Sequence, residues 1–97
     1  MTINDMRISK LIAKREKFIA YRDGFKLASD NARAIVDTYS DLSYEQKLYY
    51  EGNYHQGLSI SKFYQEKIDD VEQKLLKLGF AVKSADDAAV DDEKTIG

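Results

Sequence analysis

A seven-residue repeat of apolar residues limits what this chain can fold into. Its positions opposite the apolar rows are acidic each time, at Glu16, Asp23, Asp30 and Asp37. This contrast between inside and outside is typical of an amphipathic helix that packs on a second helix along one line, which we call the seam. The two rows that predict the seam, with nine apolar residues of ten, are Leu11, Phe18, Phe25, Ala32, Tyr39 and Lys14, Tyr21, Ala28, Ile35, Leu42.

The second half of the chain carries the same repeat and predicts a second long helix. Ser43 and Gln46 have the spacing of a capping box at its start, and Gly79 is placed as a glycine that ends it. The two rows of its seam are Tyr50, Gly57, Tyr64, Val71, Leu78 and Tyr54, Ser61, Ile68, Leu75.

The predicted helices cover residues 4 to 41 and 44 to 79, so that only two or three residues connect them. A connection this short makes the helices antiparallel. The numbers of contacting residues then sum to about 86, and large side chains face small ones. The expected neighbours are Phe25 with Gly57 and Ser61, Ala32 with Tyr54, and Leu11 with Leu75. The predicted fold class is all-α, an antiparallel helical hairpin that completes its core by oligomerisation or by docking on a partner.

Glycines leave two alternatives to this fold. Asp23 and Gly24 between apolar runs are typical of the turn of a β-hairpin, although the heptad passes through them in phase. Gly52 and Gly57 each cost a helix about 1 kcal/mol, which allows a three-helix bundle with a break between them.

The composition indicates one hairpin domain over residues 1–82 and an acidic, flexible tail over residues 83–97. The tail, "KSADDAAVDDEKTIG", has five acids against two lysines and few apolar residues. The chain has no cysteine and no apolar run of the length that spans a membrane, so we expect a cytoplasmic protein with no membrane contact.

Few residues suit catalysis or metal binding. Glu51 and His55 are one helical turn apart, but two ligands do not make a metal site, and His55 is the only histidine. No serine or threonine has a base beside it, and no glycine-rich turn carries a nucleophile. We therefore expect no enzyme activity, no metal and no cofactor.

Apolar side chains off the seam predict a binding surface. A monomeric hairpin would expose them, and exposed patches of this kind mark interfaces, unless a third segment of the chain covers them. We expect a non-enzymatic protein–protein interaction module, such as a small adaptor, scaffold or inhibitor, that acts through this apolar patch and the acidic tail. It would bind itself as a dimer or larger, or another protein. Small viral assembly proteins and bacterial immunity proteins share this general look, without a common motif. The predicted partner-binding residues are Tyr44, Leu48, Tyr49, His55, Phe63, Ile12 and Ile19.

The basic residues near the N-terminus indicate a second function, that of a small nucleic-acid-binding regulator. Their cations suit phosphates and a tyrosine suits stacking on a base. The simpler interpretation is that these cations pair with acids of the second helix, at Glu66, Asp69, Asp70 and Glu72. The residues predicted for nucleic-acid binding are Arg7, Lys10, Lys14, Lys17 and Tyr21.

Overall fold

The computed structural model describes residues 2–81 and shows two helices packed against each other. Helix α1 spans Ile3–Thr38 and helix α2 spans Tyr44–Lys77, and this described range contains no strand. The predicted all-α hairpin is thereby confirmed. The proposed tail at residues 83–97 lies outside the described residues. Within the described range, neither helix is long and apolar enough to cross a membrane.

Both helices continue through the glycines that suggested other folds. Gly24 lies inside α1, so the alternative of a β-hairpin there is wrong. Gly52 and Gly57 lie inside α2, which runs without a break from Tyr44 to Lys77. The packing of each helix therefore outweighs a cost of about 1 kcal/mol per glycine.

Each helix begins with a capping box. In α2, the Ser43 hydroxyl accepts from the Gln46 amide at 3.1 Å, and the Gln46 side chain accepts from the Ser43 amide at 2.9 Å, as the sequence predicts. In α1, Thr2 and Asp5 make the same exchange at 3.1 Å in both directions. These contacts satisfy amide groups that have no partner within the helix.

The helices end differently from one another. Helix α1 ends at Thr38, three residues before the predicted end, so Tyr39 and Leu42 belong to the connection rather than to the seam. Helix α2 ends at Lys77, two residues before the predicted end, and the predicted glycine cap follows it. Gly79 has a φ of 82°, and the Phe80 amide donates to the Leu75 carbonyl at 2.9 Å. This is a Schellman motif, for which glycine is suited because it lacks a Cβ.

Three contacts between the helices establish the antiparallel pairing. Arg15 Nε lies 2.8 Å from Glu72 Oε2, and Arg22 Nη1 donates to Gln65 Oε1 at 2.6 Å. The Ser29 hydroxyl donates to the Tyr54 carbonyl at 2.8 Å. The paired residue numbers sum to 87, 87 and 83, close to the predicted value of about 86.

The seam of α2 agrees with its prediction. All nine residues of its two predicted rows are buried or half-buried. Ile68, Val71 and Leu75 are the most enclosed apolar side chains, with at most 3% exposed. They form the apolar part of the core on this helix.

The seam of α1 differs from its prediction at Phe25 of the first row and in most of the second row. Ala28 and Tyr21 are exposed, and Phe25, expected to fill a gap in the core, is 36% exposed. The row that faces inward instead starts three residues before Leu11, with Ser29 buried and the others half-buried. It contains Ile8, Arg15, Arg22, Ser29 and Val36. Arginine reaches such a position because its stem covers apolar surface while its guanidinium bonds at the edge, here to Glu72 and Gln65.

The two helices approach each other closely at Ser29 and Gly57. A Cβ placed on Gly57 would lie 2.8 Å from the Cβ of Ser29 and 2.9 Å from the Phe25 carbonyl oxygen. Ser29 is fully buried, and its hydroxyl is satisfied by the Tyr54 carbonyl. Only small residues allow the backbones to come this close.

Candidate functional site

An open apolar groove of about 490 Å³ lies between the helices on one side of the hairpin. Ala32 and Gly57 are its buried residues, while Ile35, Tyr50 and Ile60 are half-buried along it. The remaining lining residues are Phe25, Ala28, Asn31, Asn53 and Gln56. The groove exists because α1 turns Ala28 and Ile35 away from the centre of the seam.

A second hollow on α1 extends the groove. It measures about 280 Å³ and shares Phe25 and Ala28 with the groove, so the two form one continuous surface that we call the groove face. Its other lining residues are Ala20, Tyr21 and Gly24. Small residues thus follow one another along α1, with Phe25 and Tyr21 beside them.

An aromatic cluster centred on Tyr64 lies at one end of the groove face. The Tyr64 ring centroid is 5.9 Å from Phe18, 5.3 Å from Tyr21, 6.0 Å from Phe25 and 5.3 Å from Phe63. Phe25 stacks on Tyr64, and Phe63 meets it edge to face. Tyr21 and Phe63 remain 40% and 50% exposed, so this Tyr64 cluster has apolar surface that is open to solvent.

Three lysines surround the Tyr64 cluster. Lys14 lies 6.0 Å from the Phe18 ring, Lys17 lies 5.7 Å from the Tyr21 ring and Lys67 lies 5.2 Å from the Phe63 ring. The salt bridges found within residues 2–81 involve arginines, at Arg15, Arg22 and Arg33. Arg15 thus forms the predicted kind of ion pair with an acid of α2, Glu72. The ammonium groups of the three lysines lie next to aromatic rings instead.

The predicted partner-binding residues of α2 do not form a single surface. Tyr49 and Phe63 border the groove face, because their rings contact Tyr50 and Tyr64 at 5.2 and 5.3 Å. Tyr44, Leu48 and His55 are exposed but do not line the groove. The His55 ring contacts Tyr54 at 5.1 Å.

Ile12 and Ile19 were expected to be exposed, and the structure shows both half-buried. They follow Leu11 and Phe18 directly in the chain. The inward face of α1 is rotated toward them because the second row of the seam is Ile8, Arg15, Arg22, Ser29 and Val36. The two isoleucines therefore flank the seam instead of forming a free patch.

The residues predicted for nucleic-acid binding are exposed, and three of them lie together. Lys14, Lys17 and Tyr21 belong to the surroundings of the Tyr64 cluster. Arg7 and Lys10 lie further toward the start of α1 and are exposed as well. The sequence did not indicate that Lys67 and Phe63 of α2 would join them.

The titratable groups of residues 2–81 were compared with what a metal site needs. No group of three or more histidine, aspartate or glutamate side chains in this range could hold a metal ion. Hydrogen bonds from the Thr2 backbone amide and then the Thr2 side chain lower the pKa of Asp5, which belongs to the helix cap. The surface of the hairpin exposes apolar area, aromatic rings and lysine ammonium groups.

These observations define residues 2–81 as an all-α, two-helix hairpin with an uncovered groove face. The sequence matches no protein-family model, and it shows no significant similarity to a curated protein or to a solved structure. The groove face and the Tyr64 cluster are therefore the features from which a function can be inferred.

Proposed function

We propose that this protein is a non-enzymatic protein–protein interaction module, a small adaptor, assembly or inhibitor protein that binds a helical partner through its groove face. The observation that carries this proposal is the apolar groove of about 490 Å³ that lies open along the hairpin. Exposed apolar surfaces of this kind mark binding sites in soluble proteins.

The limited core of the hairpin supports a need for a partner. The buried apolar residues of the described range are Ala32, Ile68, Val71 and Leu75. A small domain buries a modest fraction of its surface, and two helices bury less than a bundle of four. Covering the groove face adds the apolar burial that the hairpin lacks.

The shape of the groove favours a helix as the bound element. Its small residues, Ala28, Ala32 and Gly57, leave room for larger side chains projecting from a partner helix. Asn31, Asn53 and Gln56 provide hydrogen-bonding groups along the groove. Lys14, Lys17 and Lys67 at one end favour acidic residues on the partner.

Site-specific photocrosslinking in the native host tests this proposal. A photoreactive amino acid at Ala28, which lines the groove, is compared with one at Ala34, which is exposed on the same helix but does not line the groove. We expect defined protein crosslinks from position 28 that are absent from position 34. Identical patterns from both positions, or no protein crosslinks from position 28, would contradict the proposal.

A second candidate function is nucleic-acid binding, favoured by the lysines beside the Tyr64 cluster. Exposed rings with neighbouring cations are how many proteins bind single strands. Fluorescence anisotropy with a labelled single-stranded oligonucleotide tests it, using wild-type protein and the Lys14→Glu/Lys17→Glu variant. Affinity that falls steeply with salt and is lost in the variant would support this function, and no binding at low salt would remove it.

A further inference from the structure

We infer that residues 84–93 of this chain dock on the Tyr64 cluster and on the lysines around it. This inference goes beyond the proposed function, because it assigns an occupant to one end of the hairpin and leaves the groove at Ala28 to a partner. It rests on the charge of that end, on the composition of residues 84–93 and on the place where the chain leaves α2.

Lysines of both helices lie on one side of the seam, toward the end of the hairpin opposite the connection. On α1, three lysines spaced four and three residues apart share a helical face. On α2, two lysines lie seven residues apart, which is two helical turns. Rings of the Tyr64 cluster contact lysines of both helices, which places the two sets on the same side. The five exposed lysines that we call the lysine surface are Lys10, Lys14, Lys17, Lys67 and Lys74.

The two sides of the seam differ in how their cations are neutralised. On the side away from the Tyr64 cluster, Arg15 pairs with Glu72 at 2.8 Å and Arg22 pairs with Asp23 at 2.9 Å. The five lysines take part in none of the salt bridges found within residues 2–81, and Asp70 is the acid on their face of α2. An acidic segment is therefore attracted to the lysine surface more strongly than to the opposite side.

Residues 84–93 have the charge that complements the lysine surface. Their sequence, SADDAAVDDE, contains five acids and no base. Two alanines and a valine separate an acidic pair from an acidic triplet. Apolar residues between two acidic groups suit exposed rings with lysines on both helices beside them.

The acidic groups are close enough along the chain to reach the lysine surface. Helix α2 ends at Lys77, and Lys67 lies about 15 Å before that end along the helix. Counted from residue 81, an extended chain spans about 17 Å to the acids at 86–87 and about 34 Å to those at 91–93. Both acidic groups can therefore contact lysines while α2 stays intact.

The covalent connection makes weak ion pairs sufficient for this contact. Exposed ion pairs contribute little individually, and salt screens them. A segment joined to its site by a few residues nevertheless has an effective concentration in the range of about 1 mM. Residues 84–93 then act as a tethered competitor, which an acidic partner of the lysine surface has to displace.

Zero-length crosslinking of the full chain tests the contact. A carbodiimide joins a carboxylate to an ammonium group beside it, and peptide mass spectrometry identifies the pair. We expect crosslinks from residues 86–93 to the lysine surface, lost in about 0.5 M salt. Lys26 and Lys62 are the matched controls, because both are exposed and line a hollow with Arg22 on the other side of the seam. Equal crosslinking of the controls, or no crosslinks from residues 86–93, would overturn the inference.

Isotope labelling distinguishes docking within one chain from exchange between two copies. Labelled and unlabelled chains are mixed before the carbodiimide is added. Docking within one chain predicts crosslinked peptide pairs that are both labelled or both unlabelled. Mixed pairs in the statistical proportion would overturn the inference, because the segment on the lysine surface would then come from a second copy.

A neutral segment gives a second measurement on the full chain. The variant keeps the length of the segment and replaces its acids by amides, as Asp86→Asn, Asp87→Asn, Asp91→Asn, Asp92→Asn and Glu93→Gln. Acetylation of the lysine surface should become at least about twofold faster in this variant, because docking lowers the reactive fraction of the wild type. The rates at Lys26 and Lys62 should not change. Equal rates in both proteins at every lysine would contradict docking, as would a single-stranded oligonucleotide that protects the lysine surface equally in both.

Discussion

Two stretches of the seam are held together in different ways. Toward the end of the hairpin that lies opposite the connection, Ile68, Val71 and Leu75 are buried as large apolar side chains. Toward the middle, Ser29 and Gly57 bring the backbones together, and a hydroxyl of α1 donates to a carbonyl of α2. The first stretch depends on apolar volume and the second on the absence of volume. Removal of side-chain volume should therefore destabilise the first stretch, and added volume should destabilise the second.

The largest expected effect is loss of volume in the apolar stretch. Leu75→Ala should lower the free energy of unfolding by about 3 kcal/mol, because Leu75 is fully buried and its removal leaves a cavity. Urea unfolding at one fixed protein concentration measures the change, since association would also alter the midpoint. The neighbouring Leu76→Ala is the matched control: its side chain is 50% exposed, and the cost should stay below about 1 kcal/mol.

A single added methyl group should give opposite results at two glycines of α2. Gly57→Ala should cost about 1–2 kcal/mol, because the new Cβ meets Ser29 and a backbone oxygen at less than 3.0 Å. Gly52→Ala should stabilise by up to about 1 kcal/mol, because no heavy atom lies within 4 Å and alanine favours the helix. Urea unfolding of both variants measures the two changes in the free energy of unfolding. A change of the same sign at both positions would contradict the close approach of the helices at Gly57.

Removal of the hydrogen bond between the helices should have a smaller effect. Ser29→Ala deletes the hydroxyl that donates to the Tyr54 carbonyl and should cost about 1 kcal/mol. Ser59→Ala, at an exposed position of α2, is the control and should change stability by less than about 0.5 kcal/mol. If the two variants were equally stable, close packing alone would hold this stretch.

The smallest expected effect is a dependence on pH at the start of α1. Hydrogen bonds from Thr2 lower the pKa of Asp5 in the folded chain, so the stabilisation is complete above the ordinary pKa of an aspartate. It is lost as the pH falls through the lowered value. The difference in thermal midpoint between the wild type and Asp5→Asn should therefore shrink from pH 6 to pH 2. A difference that stays constant over this range would contradict the role of the carboxylate.

Hydropathy alone predicted the seam of α2, because its inward residues are mostly apolar or small. It failed for the second row of α1, where Arg15, Arg22 and Ser29 face inward. Hydropathy scales class arginine and serine as polar, although the aliphatic stem of arginine and the small size of serine let them pack between helices. The expected sum of about 86 for the numbers of contacting residues does indicate these inward positions. It places Arg15 near Glu72 and Arg22 near Gln65.

The groove face was not predicted, because the second row of α1 was assigned to the wrong residues. Ala28 and Ile35 were assigned to the centre of the seam, so no opening between the helices was expected beside them. Phe63 and Tyr49 were nevertheless predicted as partner-binding residues, and both border the groove face. The Tyr64 cluster requires side chains from both helices, and their arrangement depends on a rotation of α1 that the apolar pattern does not determine.

The contact between Ser29 and Gly57 also fixes the alignment of the two helices against slippage. A heptad repeat by itself permits one helix to slide by seven residues with its apolar rows still facing inward. Such a slide would bring Tyr50 or Tyr64 to the level of Ser29 in place of Gly57. Neither ring fits where the backbones lie this close, so a glycine flanked by tyrosines at both heptad positions allows one register and excludes its two neighbours.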